Sequence, residues 1–365
     1  TAEGLTRRSP NGDQRPFVLS RSFWAGSQRF GAIWTGDNTA EWGHLRVAAP
    51  MILSISVAGL SFAGADVGGF FKNPSAELFT RWYQAGAFQP FFRGHAHHDT
   101  KRREPWAFGD PYTQILRSAA VLRYTLLPYW YTTFYLASQA GLPVMRPMWM
   151  VFPEDEKLFA TDDQWMVGDA LLVKPVVNEG ERFAHVSFPA GSAPWYSLNT
   201  LRAHPVPAEG GVLRVEAPLE EIPVFIRGGS VLPRKMRLRR SAKLMFHDPL
   251  TLVVAPDASG SARGLVYLDD EETTRHETHG EFALRELTFA AGRLACGGAR
   301  GKFEAATEVE RVVVLGVAEP PRGVALLSAG GARTELTFVH DAEAAVLTIK
   351  KPAVRVAEDW TIALE

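Results

Sequence analysis

The sequence predicts an α/β fold followed by β structure: the C-terminal half of a (β/α)8 TIM barrel, then two antiparallel β-sandwich domains. Up to about residue 140, short apolar segments alternate with helical segments, which is typical of a parallel sheet. Polar clusters follow several of those apolar segments, where barrel enzymes hold their functional side chains. Beyond residue 141, short alternating strands separated by Gly and Pro turns replace the helices.

The predicted elements of the first segment come in the order strand, loop, helix. The strand candidates are 17–20, 31–35, 60–64 and the apolar run 88–92. The helix candidates are 45–57, 76–87 and 112–140, the last interrupted near Pro128. Four strand–loop units make half of an eight-stranded barrel, and half a barrel has open sheet edges and an uncovered core. We therefore expect the other half to come from a preceding stretch, on a chain that was cut or on a separate polypeptide.

Short strands dominate the remainder, and they divide it into two predicted β-sandwiches. The strand candidates are 170–176, 184–188, 212–215, 224–226, 252–254, 264–268, 312–315 and 345–349. The predicted domains are therefore 1–140, the second half of the barrel; 141–235, a proximal β-sandwich; and 236–365, a distal β-sandwich. The basic run 234–240 lies at the second boundary and is interpreted as a solvated linker.

Composition excludes several classes of function. The chain of 365 residues has 39 Lys and Arg against 40 Asp and Glu, and this balance argues against nucleic acid as a partner. No run approaches the roughly 18 apolar residues that indicate a membrane span. Cys296 is the single cysteine, so the fold does not depend on an internal disulfide.

A carboxylate that follows a predicted strand is the first candidate for chemistry. Asp37 stands in the segment Trp34-Thr35-Gly36-Asp37-Asn38, directly after the strand candidate 31–35. Cleavage of a glycosidic bond needs a carboxylic acid placed to protonate the leaving oxygen. Gly-Asp-Asn is also a common turn sequence, so the residues alone leave both interpretations open.

Three more polar positions follow predicted strands. Asp66 lies between glycine-containing segments, which allow a ligand close to the backbone, and a helix-capping role is the alternative. His95 and His97 form a His-x-His pair, which is found in metal-dependent barrel hydrolases and equally in loops where one His contacts a substrate hydroxyl. Arg21 is either a substrate-binding residue or part of a structural ion pair.

Taken together, four segments resemble glycoside hydrolase family 31, and their spacing matches that family as well. These are Arg21-Ser22-Phe23, the segment from Trp34 to Thr39, Gly64-Ala65-Asp66-Val67-Gly68-Gly69-Phe70, and Arg93-Gly94-His95. The resemblance extends to the end of the chain. It implies that Asp37 is the catalytic general acid/base. It also implies substrate-binding residues that line the −1 subsite, namely Arg21, Trp34, Asp66, Phe70 and His95. It implies neither a metal nor an organic cofactor.

The resemblance also implies a retaining α-glucosidase that trims α-1,3-linked glucose from N-glycans in the endoplasmic reticulum lumen, together with a β subunit. The family's nucleophile lies in a Trp-x-Asp-Met-Asn-Glu motif, which this sequence lacks. We therefore expect the nucleophile in an upstream half of the same catalytic subunit. Two alternatives stay open: a neutral α-glucosidase of the family acting on free oligosaccharides, and a non-catalytic glycan-binding scaffold.

Overall fold

The computed structural model describes residues 1–191, 194–328 and 331–365. The chain divides into two compact units. The first contains 1–123, 136–191 and 209–224, and the second contains 124–135, 192–208 and 225–365. None of the helices in the described part of the chain is long and apolar enough to cross a membrane.

Seven α-helices lie in the described residues: α1 Ala2–Arg8, α2 Trp42–Val57, α3 Ala76–Gly86, α4 Tyr112–Thr125, α5 Leu127–Ala140, α6 Met148–Val151 and α7 Arg275–Thr278. The three predicted helices are present, with α2 starting three residues earlier than expected. The interruption expected near Pro128 is the junction of α4 and α5. Pro128 is the second residue of α5, where the N–H that proline lacks has no partner inside the helix.

The strands of the first unit are short. They are β1 Leu19–Ser20, β2 Ala32–Trp34, β3 Ala63–Gly64, β4 Asp66–Val67, β5 Arg93–Gly94, β6 Met145–Arg146, β7 Trp165–Val167, β8 Leu171–Val173 and β9 Phe183–Phe188. β1, β2 and β3 pair in parallel, and so do β4 and β5. β6, β7 and β8 form an antiparallel ladder. The prediction of a strand at 88–92 is wrong, because the strand comprises Arg93–Gly94 and lies directly after that run.

The second unit contains most of the remaining strands: β10 Trp195–Ser197, β11 Ala203–His204, β13 Val224–Arg227, β14 Ser230–Arg234, β15 Leu250–Ala255, β16 Ala262–Leu268, β17 Ala283–Ala290, β18 Arg293–Arg300, β19 Glu308–Leu315, β20 Val324–Ser328, β21 Arg333–Glu335, β22 Phe338–Asp341, β23 Val346–Arg355 and β24 Trp360–Leu364. The strand β12 Gly211–Glu216 belongs to the first unit and pairs antiparallel with β9.

Within the described residues, an eleven-stranded sheet runs in the order β21-β20-β24-β18-β17-β16-β14-β15-β19-β23-β22. Buried side chains of these strands, such as Leu252, Val312 and Ile362, form its core. The expectation of purely antiparallel pairing is wrong for two pairs. β15 and β19 are parallel, and so are β14 and β16, where Ser230 is in register with Arg263. Alternation of apolar residues predicts a strand but does not specify the direction of its neighbour.

The interpretation of 234–240 as a solvated linker is wrong for its first two residues. Arg234 ends β14 and is buried, with Nη2 donating to Thr125 Oγ1 at 3.0 Å. Lys235 is also buried, and its Nζ donates to the carbonyl oxygens of Met245 and Phe246. Residues 236–240 are exposed, as expected.

A buried arginine stabilises the first unit. Arg81 in α3 is 1% exposed, and its guanidinium donates to four backbone carbonyls, those of Pro218, Glu221, Glu181 and Ala217, at 2.7–3.1 Å. Burial lowers the pKa of Arg81 to about 10, so the guanidinium stays protonated at neutral pH. One side chain therefore satisfies carbonyls from two separate loops of this unit.

Replacing Arg81 by Met is expected to lower the free energy of unfolding by about 3 kcal/mol or more, because each buried carbonyl left without a donor costs roughly 1–3 kcal/mol. Arg117→Met in α4, where the arginine is exposed, is the matched control. Denaturant unfolding measures both. Equal stability of the two variants would contradict a structural role for Arg81.

Candidate active site

The parallel pairing of the first unit brings polar side chains to one edge of each sheet. Trp34, at the end of β2, is in register with Gly64 at the end of β3. Asp66 in β4 is in register with Arg93 in β5. Because parallel strands end at the same edge, residues that follow them are presented together, as in barrel enzymes.

Asp37 lies in the loop after β2, and its carboxylate is accessible. Its side chain is 31% exposed, and Oδ2 lies 3.4 Å from Nη1 of Arg21, which follows β1. Gly36 has φ +88°, and a Cβ there would lie 3.1 Å from Nε of Arg21. A glycine at position 36 therefore allows the guanidinium of Arg21 to approach the loop that carries Asp37.

Asp66 has a different environment, since the residue is buried at 0% exposure. Its Oδ1 accepts a hydrogen bond from Nη2 of Arg93 at 2.5 Å. Burial raises the pKa of Asp66, while the charges of Arg93 and His95 oppose that rise. The helix-capping alternative does not describe this contact, because the carboxylate pairs across the strands β4 and β5.

The aromatic residues among the predicted substrate-binding residues lie beside these polar groups. The rings of Phe70 and His95 have centroids 5.3 Å apart, and His95 is exposed. The guanidinium carbon of Arg93 lies 5.1 Å from the centroid of the Trp34 ring. A sugar ring has apolar CH faces and polar hydroxyl groups at its edge. Aromatic ring faces beside carboxylates and a histidine can contact both parts of such a ring.

The loop that carries Phe70 is fixed from two sides. Asn38 accepts from the Phe70 N–H at its Oδ1 at 2.8 Å and donates from Nδ2 to the carbonyl of Asp66 at 3.1 Å. Arg103 donates from Nη1 to the carbonyls of Gly68 and Gly69. The position of the Phe70 ring is therefore set by hydrogen bonds to the backbone.

Sequence reasoning did not place Arg93, Asn38 or Arg103 among the site residues. Each acts through backbone or buried groups that only the folded chain brings together. The available signal for Arg93 was its position directly after an apolar run and two residues before His95. No comparable signal marks Arg103.

The His-x-His pair does not form a group with metal-ligand geometry in the described residues. Instead, His97, His98 and Asp99 bring ligand atoms within 4.8 Å of one another on a loop where His98 and Asp99 are exposed. Within this loop, Nδ1 of His97 and Nε2 of His98 lie 3.4 Å and 3.1 Å from carboxylate oxygens of Asp99.

A groove elsewhere in the first unit contains none of the predicted site residues. It measures about 590 Å³ and lies between α2 and the segments that follow β6, with Leu53, Val57, Trp149 and Phe159 among its lining residues. Its lining is apolar apart from Ser54, Thr161 and Asp162. It is therefore separate from the cluster around Asp37.

Two family models match the chain. One, described as the glycosyl hydrolases family 31 TIM-barrel domain, matches residues 1–133. The other, described as the glycosyl hydrolase family 31 C-terminal domain, matches residues 141–232. The coarse prediction of a TIM-barrel domain followed by a C-terminal domain is thereby confirmed.

Known proteins match over the whole chain. Neutral alpha-glucosidase AB of Mus musculus is 50% identical over 366 residues, covering 100% of this chain and 38% of that relative. The chain thus spans less than half the length of this relative. A glucosidase II alpha subunit solved in its alpha3-Glc2-bound form is 39% identical with a TM-score of 0.94. An ER glucosidase II heterodimeric complex of the catalytic subunit and the binding domain of the regulatory subunit is 40% identical, also with a TM-score of 0.94. Both alignments cover 100% of this chain and 41% of the solved chain.

Replacing Gly69 by Ala is expected to destabilise the loop before Phe70. Gly69 has φ +81°, and a Cβ there would lie 2.3 Å from the backbone nitrogen of Ala40. The strained φ and the backbone clash together are expected to lower the free energy of unfolding by about 2–3 kcal/mol. Gly94→Ala is the control, since a Cβ at that position meets nothing within 4 Å. Denaturant unfolding in which the two variants behave alike would contradict this account.

Proposed function

Because the chain belongs to glycoside hydrolase family 31, we propose that it forms the acid/base side of the active site of a retaining α-glucosidase. The observation that carries the proposal is the accessible carboxylate of Asp37 at the end of a parallel strand, beside Arg21. The flat ring of Trp34 ends the same strand, and the Phe70–His95 ring pair lies just after the strands β4 and β5. These five residues, with Asp66 behind them, form the proposed −1 subsite.

The proposed mechanism has two displacements. In the first, a carboxylate attacks the anomeric carbon while Asp37 protonates the leaving glycosidic oxygen. In the second, Asp37 removes a proton from water, which attacks the same carbon and releases glucose with its configuration retained. Retention requires two carboxyl groups about 5–5.5 Å apart. We propose that the nucleophile belongs to an upstream part of the catalytic subunit, because the family's nucleophile motif is absent from this sequence.

Arg21 has a definite role in this scheme. Its guanidinium lies 3.4 Å from the carboxylate of Asp37 and can hold that carboxylate in place. The same arginine is 61% exposed in its side chain and can therefore also donate to a sugar hydroxyl. We expect it to orient the acid/base carboxylate and the substrate at once.

The proposed substrate is α-1,3-linked glucose at the end of N-glycans, and the proposed compartment is the endoplasmic reticulum lumen. Support comes from the similarity to the glucosidase II alpha subunit in its alpha3-Glc2-bound form. A regulatory β subunit is proposed as partner, because a similar catalytic subunit was solved with the binding domain of such a subunit. The proposed architecture remains half of a (β/α)8 barrel at 1–140 and two β-sandwich domains at 141–235 and 236–365.

Asp37→Asn, in the chain assembled with its nucleophile-bearing part, is expected to lower kcat/KM on maltose by about 10²–10⁴-fold, the usual contribution of a general acid/base. The loss on p-nitrophenyl α-glucoside is expected to be smaller for the first displacement, because p-nitrophenolate leaves without protonation. Asp162→Asn, which changes an exposed carboxylate outside the cluster, is the control. Turnover near wild type in Asp37→Asn would remove the acid/base role from Asp37.

The preferred substrate separates the proposal from its alternatives. The assembled protein is expected to hydrolyse a diglucosylated N-glycan with kcat/KM at least about tenfold above that for maltose, since a site built for one glycan loses binding energy on another. Preference for maltose would favour a neutral α-glucosidase acting on free oligosaccharides. Glycan binding without hydrolysis would favour the scaffold interpretation.

A further inference from the structure

We propose that Arg93 is a positioning residue of this site, and that buried Asp66 acts on the sugar through it. Arg93, held by Asp66, fixes the indole face of Trp34 against which the glucose ring would pack. The inference rests on the proposed function and adds to it a residue that the family resemblance did not assign. It also changes the part played by Asp66.

The burial of Asp66 shows why an intermediary is needed. The Asp66 side chain is 1% exposed, so the protein surrounds it and a sugar hydroxyl has no direct approach. The Arg93 side chain is 25% exposed and therefore reaches the surface of the site. The Nη2–Oδ1 contact of 2.5 Å joins the inaccessible carboxylate to the accessible guanidinium.

Arg93 is fixed on three sides. Its backbone is in register with Asp66 through the pairing of β4 and β5. Its guanidinium carbon lies 5.1 Å from the Trp34 ring centroid and 5.6 Å from that of Phe91. A planar guanidinium packs on an aromatic face and donates in a fixed fork, which the flexible ammonium of lysine does not reproduce. The indole of Trp34 therefore has a rigid, planar neighbour.

The ion pair between Asp66 and Arg93 also determines the net charge near the anomeric carbon of a bound sugar. The transition state of glycoside hydrolysis resembles an oxocarbenium ion and carries positive charge. An unpaired arginine beside it would oppose the development of that charge. Asp66 compensates the charge of Arg93, so the pair provides rigidity without a net charge. The other ionisable groups that act on Asp66 are His95 and Asp37.

The test uses the chain assembled with its nucleophile-bearing part and four variants: Arg93→Met, Arg93→Lys, Asp66→Asn and the double variant Asp66→Asn/Arg93→Met. Steady-state kinetics on p-nitrophenyl α-glucoside give kcat, KM and the pH profile of kcat/KM. Arg102→Met is the control, because Arg102 is exposed on a nearby loop and pairs only with Glu104 in the described residues. Near-ultraviolet circular dichroism checks that each variant is folded.

Arg93→Met is expected to lower kcat by about 10²-fold with a much smaller change in KM, the cost of a misplaced site. The acid limb of the profile is expected to move to higher pH, because the pKa of Asp66 rises when its cationic partner is lost. Arg93→Lys retains the positive charge beside Asp66, so the acid limb is expected at its wild-type pH. Its kcat is expected to stay low, because lysine lacks the planar guanidinium. The double variant is expected to be less impaired than the product of the two single effects.

Any one of four results would overturn the inference. One is a folded Arg93→Met variant with kcat within about threefold of wild type, well short of the 10²-fold loss expected of a misplaced site. Another is an equal fold-change of kcat and KM in Arg93→Met, together with an acid limb of the pH profile that does not move. The third is full recovery of kcat in Arg93→Lys, which would exclude the planar contact with Trp34. If Arg93→Met does not fold, the nearly isosteric Asp66→Asn must show the lowered kcat, and wild-type kcat there would also overturn the inference. An inactive wild-type assembly would instead contradict the proposed function.

Discussion

The ion pair between Asp66 and Arg93 is the contact on which the arrangement of the site depends. A carboxylate removed from water is costly unless a cation and hydrogen bonds compensate it. In the register of β4 against β5, Asp66 and Arg93 are opposite each other, and Oδ1 of Asp66 accepts from Nη2 of Arg93. His95 follows two residues after Arg93, and Trp34 packs on the guanidinium. This ion pair thus connects the strands β4 and β5 to the ring of Trp34.

Close backbone approach is the second condition, and glycine satisfies it. A Cβ at Gly64 would lie 2.0 Å from the carbonyl oxygen of Phe91, and one at Gly68 would lie 2.5 Å from the ring of Phe79. No side chain fits at either position without displacement of its neighbours. The close approach of the strand ends therefore requires glycine at these positions, in addition to the contacts that the neighbouring side chains make.

The sequence was sufficient to predict the strand–loop–helix order and the strand ends that Arg21 and Asp37 follow, because the periodicity of apolar residues and the polar clusters are local signals. It was not sufficient where a long-range contact decides the outcome. The apolar run 88–92 has the composition of a strand, yet its carbonyls at Gln89 and Pro90 accept hydrogen bonds from Arg123 rather than from a ladder. The burial of Asp66 likewise depends on a partner 27 residues away. The role of each site residue stays a prediction.

The buried start of the basic run has a consequence for proteolysis. Arg234 and Lys235 are enclosed and hydrogen-bonded, whereas the peptide bonds after Arg237, Arg239 and Arg240 lie in an exposed segment without regular structure. A trypsin-like protease would therefore cut the chain within that short segment while β14 remains inserted between β15 and β16. Such a nick would give two bands on a denaturing gel from a protein that still migrates as one particle under native conditions.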